Sequence, residues 1–383
     1  MKVLLVDPWG INNTSEYLNG LIMGLSKKVE LVVFTNSLFE LKVESSAEIH
    51  KVFFPKSENM KHGKMRSLLR GVEYIIGYEK LIRYVKSNPD IEIIHFNWLL
   101  SYGIDIKYLK KLKDMGKKVV YTAHNVIPHY NLTEQKKEHL KTIYSLCDKI
   151  VLHGITVGEE FQKLFPEYYF KVYFQKHGCN LDPNLTIDLA TISTELIQKI
   201  GNFRRLYLYF GKIFYNKGVD RLIKLWNPNW TSSLLVIAGR TEEAYRELDE
   251  QLKKASECDN IIFLNEYVDD NTLNYLISRS NLILLPYRHA SMSGVVFTAA
   301  DFGKPLLCTD AGAIGEYLEN GIDSFVVNNN DQLLSEKIRL IEDEYSNEDL
   351  NNMGLQLQQN IKEKCDWAKV AERLVHDCYM SID

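Results

Sequence analysis

LILLPYRHASMSGVVFTAADFGKPLLCTDAGAIGEYLENG, residues Leu282–Gly321, is the stretch whose reading decides the fold. The apolar run Leu282–Leu285 reads as a buried strand that stops at Pro286, and Tyr287–Ser293 reads as a loop. Gly294–Phe302 then has helical spacing, with Val295, Val296, Ala299 and Phe302 on one face. Gly303 suits the left-handed residue that closes a helix, and Pro305 prevents it from continuing. Leu306–Thr309 resumes as a strand, so the segment is a strand–loop–helix–strand unit of a parallel α/β sheet. The helix is expected to start at Ser293–Gly294, after the small residue Ser291. Free amides and about half a positive charge at such a start suit a diphosphate. The same geometry is compatible with Ser293 serving simply as an N-cap.

Outward from this unit the same pattern repeats. Leu206–Phe210, Leu234–Ala238, Ile261–Leu264 and Ser324–Val327 read as further strands of the second half. Val3–Asp7, Leu31–Phe34, Ile93–His95, Val119–Thr122 and Ile150–His153 read as strands of the first. The runs are apolar throughout, as strands covered on both faces should be. Helical stretches separate them, which implies parallel sheets. A single core stops growing at roughly 250–300 residues, and this chain has 383. The expected architecture is therefore α/β, with two Rossmann-like, doubly wound parallel-sheet domains facing a cleft. The domains are expected at residues 1–182 and 183–365, with a hinge near Asp182–Asn184. In open α/β sheets ligands bind beyond the carboxyl ends of the strands, so the loops there are the candidate site.

Composition narrows the function. A net charge of −4 and a pI near 6.2 argue against a general nucleic-acid binder. MKVLLVDPWG does not read as a signal peptide, since Asp7 and Pro8 end its short apolar run, and no stretch reaches the ~20 apolar residues of a membrane span. The expected location is therefore the cytoplasm. Six scattered cysteines form no CxxC pair and read as free thiols. No Asp-x-Asp occurs, so no metal site is expected, and diphosphate would be held by backbone amides and cations.

A second loop carries that chemistry. After Leu206–Phe210 comes GKIFYNKGVDRLI, with Gly211 at the turn and Lys212 and Lys217 flanking a short loop before a helix from Val219. Two cations there can neutralise a departing diphosphate; ordinary solvated lysines are the alternative. Taken together, the two loops resemble the GT-B glycosyltransferases, in particular the large family 4 of retaining enzymes, over nearly the full length and most strongly over Tyr207–Val327. In that family a Gly-Arg…Lys-Gly loop binds the donor diphosphate, and the matching cations here are Lys212, replacing Arg, and Lys217. The resemblance also implies donor contacts from Gly211, from Arg240 in LLVIAGR, and from Tyr267 and Val268 in the base-binding loop FLNEYVDDNTL. Gly303–Pro305, Gly312 and Glu316 match its Gly-Lys-Pro and Gly-x-x-x-Glu segments. One departure stands out. The family's Glu-x7-Glu pair falls on Ala290 and Thr298, leaving Thr298 for the ribose and Ser291–Gly294 in place of the sugar-binding carboxylate.

The first half supplies the rest. His124, in AHNVIPHYN just past a strand end, matches a histidine that in the family contacts the donor sugar near the reacting carbon; a packed core histidine is the alternative. His129 in the same loop is an acceptor-binding candidate, and His95 reads as structural. In DPWGINNTSEYLNG, Gly10 permits close approach to the donor, while Trp9, Asn12 and Asn13 offer a stacking face and amide hydrogen bonds to the acceptor. KHGKMRSLLR, Lys61–Arg70, concentrates cations beside apolar residues and fits either an anionic membrane or a solvated helix face. The last helix, within 366–383, is expected to return to the first domain, as it does in the family. The resemblance implies metal-independent transfer from a nucleotide-diphosphate sugar to a glycan or lipid-linked acceptor, in bacterial surface polysaccharide or glycoconjugate synthesis, with no bound cofactor and with retention of configuration. Two alternatives stay open: a non-catalytic sugar- or nucleotide-binding relative, and a nucleotide-sugar epimerase of GT-B shape.

Overall fold

Strands that are apolar on both faces are stable only where helices cover both sides of the sheet, and this chain builds two such sheets. The computed structural model describes residues 1–11, 14–126, 133–179, 187–242, 245–290 and 292–382. Contacts divide the chain into Met1–Asn180 with Cys365–Asp383, and Leu181–Lys364. The hinge expected near Asp182–Asn184 lies outside the described residues.

The first unit carries β1 (Lys2–Asp7), β2 (Glu30–Asn36), β3 (Glu48–Phe53), β4 (Ile91–Phe96), β5 (Lys118–Thr122), β6 (Lys149–Leu152) and β7 (Val172–Phe174). They lie in the order β3-β2-β1-β4-β5-β6-β7, and every pairing is parallel. The chain winds outward from β1 through β2 to β3, then crosses back to β4 on the other flank. The carboxyl ends of β1 and β4 therefore border the crevice where winding reverses. β3 and β7 are not among the strands read from sequence. Both are edge strands and only partly covered, so EIHKVF and VYF lack a continuous buried apolar run.

The second unit carries β8 (Arg205–Phe210), β9 (Ser233–Ala238), β10 (Ile261–Leu264), β11 (Leu282–Leu285), β12 (Leu306–Thr309) and β13 (Phe325–Val327). Their order is β10-β9-β8-β11-β12-β13, again all parallel. Here winding reverses between β8 and β11.

The C-terminal segment belongs to the first unit. A helix over Trp367–Arg373 passes into a π-helical turn, Leu374–Tyr379, and packs on α1 (Ser15–Leu25). Sequence makes this possible through Gly20 and Gly24, one turn apart on α1. A Cβ on Gly20 would lie 2.0 Å from Trp367 Nε1, and one on Gly24 would lie 2.4 Å from the Trp367 carbonyl. Trp367 is buried among Leu18, Leu21, Ile22, Val370 and Ala371. Burial of an indole of this size is worth about 4–6 kcal/mol before entropy. Among the described residues no helix is long and apolar enough to cross a membrane.

Candidate functional site

At the β1/β4 crevice the strand ends present polar side chains that satisfy one another. Asp7 is fully buried at the end of β1, and its Oδ1 accepts the backbone N–H groups of Trp9 at 3.0 Å and Gly10 at 2.7 Å. Asn97, just past β4, donates from Nδ2 to Asp7 Oδ2 at 2.5 Å. Its Oδ1 is thereby left to accept from His124 Nε2 at 3.1 Å, just past β5. This chain of bonds fixes the tautomer. His124 carries its proton on Nε2 and keeps the Nδ1 lone pair as an acceptor. The ring stacks on Trp98, with centroids 4.3 Å apart and planes 13° apart, and meets the edge of Tyr17 at 4.9 Å. Burial, with His153, His177 and His95 nearby, holds His124 well below the ordinary histidine range, so it is neutral at pH 7. Desolvation, opposed by its three hydrogen bonds, pushes Asp7 up to about 6.

The other first-unit candidates divide. Trp9 is 44% exposed and stands 5.4 Å from Trp98, so two indoles line the approach to His124. Gly10 has φ +26°, and a Cβ there would lie 2.4 Å from Thr35 Oγ1. The space its missing side chain leaves is thus filled by Thr35 and Leu18 of its own unit, which accounts for the glycine without a ligand. His95 is buried between Tyr379 Oη at 2.6 Å and Thr122 Oγ1 at 2.7 Å, and burial lowers it to about 3. Asn12, Asn13 and His129 lie outside the described residues.

At the β8/β11 crevice the two loops are locked together. A Cβ on Gly218, which has φ +67°, would lie 2.2 Å from the Pro286 carbonyl, so only glycine lets the loop after β8 close on the loop after β11. Arg221 is buried and ties Pro286 O (3.1 Å), Asn329 (2.7 Å) and Asp331 (2.6 Å) together. Arg288 makes a bidentate pair with Asp220, at 2.8 and 2.6 Å, and lies over the Tyr215 ring. Each of these cations is answered by a carboxylate.

Lys217 is not. It ends a short turn, Tyr215–Lys217, and its Nζ lies 3.7 Å from the Tyr287 ring centroid with Phe214 beyond. No carboxylate among the described residues pairs with it. Desolvation alone lowers it to about 8, so it is still mostly cationic at pH 7. The hydroxyl of the same Tyr287 ring lies 3.2 Å from Ser293 Oγ.

Ser293 does not take the alternative role of an N-cap. The helix runs Val295–Asp301, its N-cap is Gly294, and no side chain caps it. The Ser293 hydroxyl is turned to Tyr287 instead. Gly294 is exposed, with no heavy atom within 4 Å of where its Cβ would be. Thr298 Oγ1 reaches back to Gly294 O at 3.4 Å. Gly303 closes the helix at φ +59°. Lys212 is exposed and lies 3.7 Å from Glu242, which also pairs with Arg240 at 3.0 Å. Gly211 has φ +116°, and its carbonyl would be 1.9 Å from a Cβ on Gly239. Tyr267 is exposed and Val268 half-buried in the loop after β10. Ser291 lies outside the described residues. No group of three or more His, Cys, Asp and Glu among the described residues could hold a metal.

Residues 204–343 match the sequence family described as Glycosyl transferases group 1. The chain has the GT-B fold, and this segment is similar to that glycosyltransferase group. The fold is shared along the whole chain. Anabaena HepE, in a crystal structure with UDP and glucose, is 15% identical with a TM-score of 0.69, over 99% of this chain and 100% of that one. A Rickettsia africae glycosyltransferase is 15% identical with a TM-score of 0.66, over 100% and 98%. Sucrose-phosphate synthase from Thermosynechococcus elongatus is 13% identical with a TM-score of 0.69, over 99% and 98%. No curated protein matches by sequence. The matched family segment contains β8 to β13 and therefore the whole Lys217 crevice. Sequence reasoning named Lys217, Ser293 and His124 as candidates and did not name Asp7, Asn97, Trp98 and Tyr287, which the structure places around them. Asp7 ends β1 and Asn97 follows β4, much as His124 stands past β5, and strand-end polarity was the signal that marked them.

Proposed function

We propose that the chain transfers a glycosyl group from a nucleoside-diphosphate sugar to a hydroxyl of a glycan or lipid-linked acceptor, without metal and with retention at the anomeric carbon. The bond from that carbon to the diphosphate breaks, and a bond to the acceptor oxygen forms. The acceptor proton leaves with the nucleoside diphosphate. The observation that carries this reading is Lys217, a largely buried ammonium with no carboxylate partner among the described residues. A cation held in that state is complementary to an anion that arrives and gains charge on departure. Ser293 and Tyr287 hydroxyls and the open backbone at Gly294 would share the diphosphate, with Lys212 and Arg240 at its exposed edge. Gly211, Thr298, Tyr267 and Val268 would border the rest of the donor. His124 Nδ1 would accept from a sugar hydroxyl, and Trp9 with Trp98 would stack on the acceptor. Synthesis of bacterial surface polysaccharide or glycoconjugate, on the cytoplasmic side of a membrane, is the setting this chemistry fits.

UDP-glucose is the first donor to try, because HepE has been crystallised with UDP, glucose and UDP-glucose. Calorimetry with UDP, GDP and ADP, each with and without its glucose conjugate, tests the reading. Selective binding that Lys217→Ala weakens supports it. Binding of none, or binding indifferent to Lys217, overturns it. Donor binding without transfer to any glycan would leave a non-catalytic relative.

A further inference from the structure

Helix α2 (Lys64–Ser87) buries one face and leaves another bare. Tyr74, Gly77, Tyr78, Leu81, Ile82 and Val85 face inward. On the other side Met65 (75%), Leu68 (74%), Val72, Ile75 and Ile76 are all exposed. Their spacing of three, four, three and one residues places them along one stripe about 100° wide, with Arg83 continuing the same line. From Met65 to Ile76 the stripe runs about 16 Å. Exposed large side chains scattered singly need no explanation, whereas a contiguous stripe on one helix marks a docking face.

Charge selects the occupant. Residues 60–87 hold Lys61, Lys64, Arg66, Arg70, Lys80, Arg83 and Lys86 against only Glu73 and Glu79. Lys61 and Lys64 stand exposed at one end of the stripe, and Lys80 and Arg83 at the other. The nearby carboxylates are already engaged. Glu73 accepts from Ser57 and the Lys56 amide, Glu79 from Tyr108 and Lys111, and Glu58 pairs with Arg66 and Arg70 at 3.1 and 2.6 Å. Arg66 and Arg70 are thus structural cations, which narrows the basic set expected over Lys61–Arg70. An apolar stripe between free lysines and an arginine matches a bilayer surface: apolar groups enter the acyl boundary while cations meet anionic headgroups. A second copy is disfavoured, since a two-fold contact would set the same positive ends against each other.

We propose that this face of α2 docks the protein on an anionic lipid surface. The proposal adds a location to the glycosyl-transfer reading and does not depend on turnover. It is tested by co-sedimentation of the full chain with phosphatidylglycerol/phosphatidylcholine vesicles and with pure phosphatidylcholine vesicles. Binding to the anionic vesicles, at least tenfold stronger than to neutral ones and weakened by salt, is expected. Leu68→Glu/Ile76→Glu and, separately, Lys64→Glu/Arg83→Glu should each reduce it tenfold or more, with unchanged melting temperature and nucleotide affinity. Equal binding to both vesicles, no binding to either, or binding unmoved by both variants would overturn the proposal. So would a concentration-dependent dimer, seen by sedimentation velocity and abolished by Leu68→Glu/Ile76→Glu. Vesicle binding in a protein that binds no nucleotide would uphold this surface while sinking the transfer reading.

Discussion

The two sheets reverse direction in the same way, yet the two crevices this creates differ in charge. Between β1 and β4 the polar groups are closed on themselves: Asp7 takes three donors, Asn97 bridges, and His124 is held neutral. Between β8 and β11 the scaffold cations Arg221 and Arg288 are paired, but Lys217 is partly desolvated over an aromatic face and has no carboxylate partner among the described residues. Desolvating a charge costs free energy that a stable fold ordinarily avoids unless the charge is paired. Under the proposed function, retaining the cost at one crevice and removing it at the other would separate an anion-binding half from one suited to neutral hydroxyls.

The largest effect should come from His124→Ala. Loss of a contact made chiefly in the transition state should lower kcat by about 100-fold or more while donor affinity changes little. A large fall in melting temperature with normal kcat per folded molecule would make His124 a packing residue and dissolve the contrast.

Lys217→Ala should weaken nucleoside-diphosphate affinity by about 10–100-fold, the loss typical of a charge-assisted hydrogen bond, with Lys217→Arg partly restoring it. The pH dependence has a definite sign. Lys217 titrates at about 8, so in the wild type affinity should fall as pH rises through 8. The empty protein should gain stability from pH 8 toward 10.5, because the unfolded chain holds that proton longer. Calorimetry and melting curves across pH 7–10 separate the two trends. A flat affinity profile would remove the ammonium from the site.

The first unit should be acid-labile. His124 and His95, His153 and His177, lowered to about 3, 4 and 3 for the last three, stay neutral when folded and take protons near pH 6.5 when unfolded. Their contribution is complete above 6.5 and declines below it. Asp7 and Asp105, raised to about 6, act oppositely, but they are two groups against four. Stability should therefore fall between pH 6.5 and 5 by on the order of 2 kcal/mol per pH unit. Thermal melts that are flat over that window would contradict the buried neutral cluster.

Lys212→Ala should cost donor affinity no more than about threefold, because an exposed lysine beside Glu242 is screened by solvent and already partnered. A loss equal to that of Lys217→Ala would mean that exposure is a poor guide here. Chelation should have the smallest effect: transfer is expected to survive EDTA, and loss restored by magnesium or manganese would overturn metal independence.

The sequence alone determined the parallel α/β class, the strand–helix–strand unit around Gly303 and Pro305, and the positions of Lys217, Ser293 and His124 beyond strand ends. These are local signals: apolar runs too long to be anything but buried strands, a helix-stopping glycine, and polar residues where a sheet ends. β3 and β7 escaped because these two edge strands, unlike β10 and β13, are largely uncovered and lack that signature. Tertiary structure alone decided which of these crevice cations has no carboxylate partner among the described residues. Arg288 and Lys217 look alike as letters, and only the fold brings Asp220 to one and Tyr287 to the other. It likewise decided that Ser293 turns to Tyr287 rather than capping its helix, and that Asp7 and Asn97, ninety residues apart, set the tautomer of His124. Charge state and tautomer depend on partners drawn from distant strands, and spacing along one chain carries no record of them.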